Sequence, residues 1–517
     1  MPLEKCTESE ILGGSVRVLL LQPSLVASES FSRRALPFLP LGLAAVAAVL
    51  RESGHQVRIL DAYTEGWDRR GLLDNDLIEI GLPEEEVAAQ IRRYQPHMVG
   101  FTAPFTAQMP RLRSLARWVK AIHPEIFVLC GGNHPSCAPA EVLSVPEIDA
   151  VVLGEAESTL PQLLQALQDA EGLENCEGIA YRSRTGAPVI RPLFQYRRDL
   201  DSLPIPAYDL LPMKKYFKCV GGRRIPLMTS RGCNQTCSTC SSRPIFGRSR
   251  RFWSAPYLVQ QMRHLLESYD VREFLFDDHA LLAEPERAKQ LFDLMISENL
   301  KIHWMARGGI GCEHLDEALL ARMKQSGGRE LHFDVGSGSR RVLHQILRKS
   351  LDLHQLENAI SRALIAGFRI SCQFVLGSPG ETIEEIYETL NFAWKLRSRG
   401  VEEFEFLLAA PHVGTTLHDQ ALQLGCQISP DVMWNPYDQG LQTRDFSALE
   451  VCQIRDNAER EFSSRGLALD FGLRRGIGIR PPATPEVRYF PSVAPAPRVR
   501  PLRPLPLNDR RTSLETN

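Results

Sequence analysis

Cys233, Cys237 and Cys240 lie in the run MTSRGCNQTCSTCSSRP, separated first by three residues and then by two. Thiolates are soft ligands, suited to an iron–sulfur cluster or to zinc. Three of them on one short loop can hold three corners of a cubane and leave the fourth iron open. Structural zinc takes four protein ligands, and no pairing fourth cysteine or histidine lies nearby. Cys6, Cys176, Cys219, Cys312, Cys372, Cys426 and Cys452 are scattered singly and read as reduced core or surface residues.

A loop of this kind needs a scaffold, and strand and helix patterns alternate on both sides of it. Strands are suggested at 225–230, 273–278, 301–307, 330–336, 369–377 and 402–411, with helices at 255–268, 285–298, 315–326, 353–366 and 382–399. About six βα repeats predict a full or partial β/α (TIM-like) barrel over 225–440. The cysteines then follow its first strand, at the carboxyl end where barrel enzymes place their chemistry. Upstream, VRVLLLQ, QVRILDA, MVGFTA, IFVLCGG and DAVVLGE alternate with helices and predict a doubly wound, Rossmann-like α/β domain over 14–195. Ligands of such sheets sit at the carboxyl ends of the strands, where Gln22, Thr102, Gly131, Gly132, Gly154 and Glu155 fall. Residues 196–224 read as a linker and 441–479 as a short helical segment. The Pro/Arg-rich stretch 480–517 reads as a disordered tail.

The chain has 517 residues, 44% of them hydrophobic and 24% charged, as in a soluble globular protein. A net charge of −2 offers no basic face for nucleic acid or an anionic membrane. The N-terminus carries acidic residues and no apolar core, unlike a secretory signal. The longest apolar stretch, Leu36 to Leu50, contains Pro37 and Pro40 and is too short to span a bilayer. A soluble, cytoplasmic protein without a membrane span or nucleic-acid partner is expected.

SRGCNQTCSTC resembles the signature of radical S-adenosylmethionine enzymes. LFDDHALLAEPERAKQLFDLM, LLARMKQSGGRELHFDVGSGSRRVLHQILRKS and FVLGSPGETIEEIYETL resemble the second-, fourth- and fifth-strand segments of that barrel. PLGLAAVAAVLRESGHQVRILDA, GGNHPSCAPAEVL and DAVVLGEAESTL resemble the cobalamin-binding domain that precedes the barrel in one large subgroup. The resemblance covers roughly residues 15–420. It implies a [4Fe–4S] cluster, S-adenosylmethionine and cobalamin as cofactors, a small-molecule substrate, and an external one-electron reductant of the flavodoxin or ferredoxin type. The implied activity is a radical methyltransferase acting on an unactivated carbon. The alternatives are a radical cyclase or rearrangement enzyme using cobalamin without methyl transfer, and a non-catalytic cobalamin- or metal-binding derivative.

The family pattern is also broken at three places. Thr239 stands where an aromatic residue usually packs near adenine. Gly336 replaces the glutamate before the Ser-Gly of the fourth strand, and Asp334 can stand in for it only if the strand keeps its register. The N-terminal domain lacks the Asp-x-His-x-x-Gly run that supplies a lower cobalt ligand. By resemblance, Ser337 contacts the methionine carboxylate, and Gly377 with Pro379 shapes the turn on the adenine side. Asp277 or Asp278 binds the methionine ammonium, or both are solvated strand-end charges. Arg307 meets a carboxylate of the ligand or a salt-bridge partner. His134 approaches the corrin or lies on the surface, Glu155 and Glu157 suit a helix start, and His279 and His412 read as loop residues.

Overall fold

A near-continuous apolar run makes β1 (Arg17–Gln22), buried on both faces as a central parallel strand must be. The structure, a computed structural model, describes residues 14–32, 35–73, 77–104, 106–169, 172–428 and 440–462. The expected tail, 480–517, and the end of the expected helical segment, 463–479, lie outside these residues. Around β1 the chain builds β2 (Gln56–Asp61), β3 (Met98–Thr102), β4 (Phe127–Gly131) and β5 (Ala150–Val152), then β6 (Ile179–Arg182) and β7 (Pro188–Arg191). Their order is β7-β6-β5-β4-β3-β1-β2. Strands β1 to β5 are parallel, and β6 and β7 add an antiparallel edge. The chain runs from β1 outward to β2 and then crosses back to β3, so the topological switch point falls between β1 and β3.

The helix Leu41–Glu52 covers one face of this sheet, burying Leu43, Val46, Ala47 and Leu50. Leu25–Ser28, Leu77–Ile80 and Arg70–Leu72 form a small antiparallel sheet beside it. These strands span three or four residues, too short for hydrophobic periodicity to reveal them.

The second half is a six-stranded parallel sheet in sequence order: β8 (Arg224–Leu227), β9 (Glu273–Phe276), β10 (His303–Ala306), β11 (Gly328–Gly336), β12 (Arg369–Leu376) and β13 (Glu403–Leu408). β13 does not pair back onto β8, so this is the partial form of the barrel. Its core stacks Trp304 between Phe276 and Phe292, with centroids 5.1 and 5.2 Å away. Side chains cap the surrounding helices: Ser254 before Ala255–Tyr269, Asp316 before Glu317–Gln325, Asp352 before Leu353–Ile365. Thr382 and Glu385 form a capping box on Ile383–Ser398. The helix Ala448–Phe462 packs Phe462 against Phe404 and Phe406 of β13.

The connection 196–224 is built into both halves. Leu200, Leu203, Ala207 and Tyr208 are buried. The Ala207 amide donates to Ala44 O at 2.9 Å, and Gln261 Nε2 donates to the Tyr208 hydroxyl at 2.8 Å. Its prolines mark an ordered path rather than a loose tether. Among the described residues, no helix is long and apolar enough to cross a membrane.

Candidate active site

The cysteine loop starts from a rigid base. Buried Asp278, just beyond β9, accepts through Oδ1 from Thr229 N (2.9 Å), Thr229 Oγ1 (3.1 Å) and Ser230 Oγ (2.7 Å). Arg287 holds the same turn, donating to Thr229 O at 2.6 Å and Thr229 Oγ1 at 3.0 Å. Burial pushes the Asp278 carboxyl up to about 6, and these donors together with the Arg287 charge limit the rise. Asp278 is thus a strut of the loop, and Oδ2 is its one unpartnered oxygen.

On that base Cys233 and Cys237 are partly buried and Cys240 is exposed. The Cys240 amide donates to Cys237 O at 3.3 Å, which tightens the loop into a turn. The Cys237 thiol is pushed up to about 11, mainly by burial. Lys349 opposes the rise, and Asp334, Cys240 and Cys233 add to it. Each of these groups is therefore near that sulfur. As placed, no three His, Cys, Asp or Glu side chains among the described residues close on a metal ion. The donor set itself, three soft thiols on one loop, is that of an iron–sulfur cluster. Half-buried Thr239 lies on the same loop.

Other residues ascribed to the S-adenosylmethionine pocket are placed differently from one another. Asp277 sits at the mouth of the barrel, 3.4 Å from Arg307 Nε, so Arg307 has its partner within the protein. Ser337 is fully buried: its hydroxyl pairs with Thr389 Oγ1 at 2.8 Å and accepts from Ser339 N at 3.1 Å. The hydroxyl that the resemblance gives to the methionine carboxylate is thus committed to the helix Ile383–Ser398. Between Asp334 and Gly336 the pairing of β11 with β12 shifts register. Asp334 points to Lys349 Nζ at 2.6 Å, so the kept register that would let it replace the missing glutamate is absent. Gly377 has φ +80, and a Cβ there would meet Val451 of the helix Ala448–Phe462 at 2.9 Å. Its turn is closed from below by Glu381, which accepts from Ser378 N at 2.8 Å.

A cavity of about 450 Å³ opens at the carboxyl edge of the first sheet, across the β1/β3 switch point. Gln22, Thr102, Gly131, Gly132, Gly154 and Glu155 all line it. Leu20, Gly100, Leu129 and Val152 add a flat apolar floor that sequence reasoning missed. A Cβ at Gly100 would come within 3.1 Å of Leu20, so glycine keeps that floor level. Buried Gln22 donates through Nε2 to Asp61 and Phe38 O, and its Oε1 has no partner. A flat apolar floor with a free carbonyl acceptor suits a macrocycle fringed with amides, as cobalamin is. The opposite wall belongs to the barrel: Met228, Arg231, Trp253 and Asp277. One cavity therefore touches both halves of the molecule.

His134 is only 4% exposed and is not among the lining residues. Its Nδ1 lies 3.1 Å from Thr106 Oγ1 and its Nε2 3.7 Å from Glu141. It is therefore neither a surface histidine nor a wall of the cavity. His279 packs at a tilt against Phe246, with ring centroids 4.8 Å apart, and His412 is half-buried.

The contacts most hidden from sequence are four charges between the halves. Glu155 accepts from Arg251 at 2.9 and 2.5 Å and lies 3.3 Å from Arg231. Arg231 donates to Glu157 at 2.6 Å, and all four side chains are at most 9% exposed. Burial alone would raise the Glu157 carboxyl, but Arg231 holds it below the usual carboxylate range. Arg231 also lies over Trp253 and Phe246, 5.2 and 5.8 Å from the ring centroids. The glutamates do more than open a helix: they tie it to the residue two before Cys233.

The same two kinds of domain occur in known proteins. The chain matches the B12-binding domain over residues 32–164 and the radical SAM superfamily over 227–393. It is 31% identical over 434 residues to an uncharacterized methyltransferase of Pyrococcus horikoshii, covering 82% of this chain and 88% of that one. It is 28% identical over 490 residues to cytidylyl-2-hydroxyethylphosphonate methyltransferase of Streptomyces wedmorensis, covering 87% and 90%. Its fold is similar to the radical S-adenosylmethionine methyltransferase TsrM of Kitasatospora setae with cobalamin and a [4Fe–4S] cluster bound. That similarity has a TM-score of 0.64 at 17% identity, over 87% of this chain and 85% of that one. Barrel and cysteine loop thus make the protein a radical S-adenosylmethionine enzyme. With its B12-binding domain, the chain belongs to the cobalamin-dependent radical S-adenosylmethionine enzyme family, whose cofactors are a [4Fe–4S] cluster, S-adenosylmethionine and cobalamin.

Proposed function

We propose that this enzyme transfers a methyl group to an unactivated carbon of a small-molecule substrate. The observation that carries the reading is the shared cavity, whose floor is the β1/β3 switch point and whose opposite wall is the barrel mouth. When bound, the cluster, S-adenosylmethionine and cobalamin supply a carbon radical and a methyl donor.

The protein's part is placement. Cys233, Cys237 and Cys240 are assigned as the cluster ligands, with Asp278 and Arg287 fixing the start of their loop. Gln22, Thr102, Gly131, Gly132, Gly154 and Glu155 are assigned to the cobalamin side. Asp277, Thr239 and the Gly377 turn are assigned to S-adenosylmethionine. Ser337 supports that pocket through the backbone of its turn. The apolar floor and the walls from both halves keep water from the reacting carbon.

A second reading, a radical cyclase, draws on 28% identity over 342 residues to the anaerobic magnesium-protoporphyrin IX monomethyl ester cyclase of Rubrivivax gelatinosus. That similarity covers 64% of this chain and 61% of that one. Anaerobic turnover of reconstituted protein separates the two. Methyl transfer yields both 5′-deoxyadenosine and S-adenosylhomocysteine, whereas the cyclase reading yields no S-adenosylhomocysteine. The C233A/C237A/C240A variant should hold no cluster iron and form neither product; a retained cluster would overturn the ligand assignment.

A further inference from the structure

Between Leu210 and Leu266 the sequence holds eleven Lys and Arg and no Asp or Glu, in a chain of net charge −2. The three cysteines lie in the middle of that stretch. Several of its cations are neutralised by carboxylates from elsewhere: Lys215 by Asp68, Arg224 by Glu273, Arg263 by Glu298, and Arg231 and Arg251 by the buried glutamates. Arg243, Arg248 and Arg250, which follow the cysteines, are not paired with a carboxylate among the described residues. Arg243 and Arg248 are exposed and have no acidic partner among the described residues. Arg250 donates to Asn234 Oδ1 at 2.5 Å, which lays its guanidinium along the loop.

A second segment approaches from the far side. Ser238 N donates to Leu347 O at 2.9 Å, and Ser350 Oγ donates to Gln235 Oε1 at 2.6 Å. These bonds hold Arg348 beside the loop, where it too is exposed and without an acidic partner among the described residues. Asn234, Gln235, Thr236 and Cys240 are the exposed residues of the loop, and none is acidic. Cys240 is the most exposed of the three thiols. Arg243, Arg248, Arg250 and Arg348 thus form a cationic collar beside the cluster loop, where the acidic Asp334 is paired with Lys349 at 2.6 Å, and the protein's overall charge conceals it.

We infer that Arg243, Arg248, Arg250 and Arg348 form the docking surface for an acidic one-electron carrier protein, a flavoprotein or an iron–sulfur protein. The inference rests on the reading that the three cysteines hold a reducible cluster. Complementary charge steers such a partner to the exposed side of the cysteine loop, and it raises the association rate in a salt-sensitive way. One electron leaves the reduced carrier, which is oxidised, and enters the cluster, which is reduced. No bond is made or broken.

The test uses the full chain with its cluster and an acidic flavodoxin. In stopped-flow reduction, the second-order rate for wild type should fall at least tenfold between about 50 and 500 mM salt. R243Q/R248Q and R348Q should each slow it at low salt, the double variant about tenfold or more, and should flatten the salt dependence. The end-point cluster signal with excess dithionite should stay unchanged. Binding of oxidised flavodoxin, measured by calorimetry whether or not the cluster is loaded, should weaken in the same variants. The docking inference fails if variant rates and binding equal those of wild type, or if wild-type reduction is independent of salt. It also fails if a short RNA binds the collar more tightly than flavodoxin does. Protein that binds flavodoxin through these arginines but retains no iron would instead refute the cluster reading and leave the surface standing.

Discussion

Replacing Glu155 with Gln removes one negative charge from a closed set of two carboxylates and two guanidiniums. The four side chains are between 2 and 9% exposed, so water cannot supply the missing counter-charge. Breaking a buried pair by removing one partner costs about 3–5 kcal/mol. Arg251 keeps the carbonyl oxygens of Arg197 at 3.0 Å and Phe246 at 2.8 Å, which favours the lower end, about 3 kcal/mol. The loss falls on the joint between the halves. Hydrogen exchange at Ala156 and Gly232 should therefore rise before exchange in the core of β1, and the first chemical-unfolding transition should move to lower denaturant. E155Q/R251M, which removes both charges of the bidentate pair, should recover about half of the loss or more, because no uncompensated charge is then left beside the cavity. Cobalamin titration should weaken in E155Q, since the cavity takes walls from both halves. A loss under about 1 kcal/mol, or two substitutions that simply add, would refute the reasoning.

Gly131→Leu should block cobalamin binding in an absorbance titration while costing little stability, because a Cβ there meets only Val152 atoms at ordinary contact distance. Glu381 is pushed up to about 8 by burial against an ordinary 4.5, so between those pH values the folded protein keeps a proton that the unfolded chain has lost. Stability should therefore fall as pH rises through that window, and E381Q should gain about 2–4 kcal/mol on wild type between pH 5 and 9 in denaturant titrations. Glu157 has the opposite sign. Its native carboxyl is held below 4.5, so its contribution is full above that pH and fades as pH falls further. The advantage of wild type over E157Q should accordingly shrink between pH 7 and pH 3.5 in the same titrations.

The features legible in the sequence are those written in short-range pattern. Short apolar runs alternating with helical patterns placed the five parallel strands of the first sheet, the six of the second and most of the helices between them. The cysteine spacing assigned the metal chemistry, and the strand before it assigned its place at the barrel mouth. Strand-end counting found Gln22, Thr102, Gly131, Gly132, Gly154 and Glu155, because a carboxyl-end residue of a parallel strand faces the same edge whatever surrounds it. Tertiary structure decided where the polar groups go. Glu157 and Arg231 are 74 residues apart and Glu155 and Arg251 are 96 apart, and nothing local announces such partners. The register shift between Asp334 and Gly336, the burial of Ser337 against Thr389 and the withdrawal of His134 from the cavity depend on neighbouring elements of the fold. The cationic collar was present in the composition of one segment. Only folding showed which of its charges were neutralised and which were left beside Cys240. Apolar periodicity is a property of one stretch of chain, whereas the pairing of a charge is settled by what packs against it.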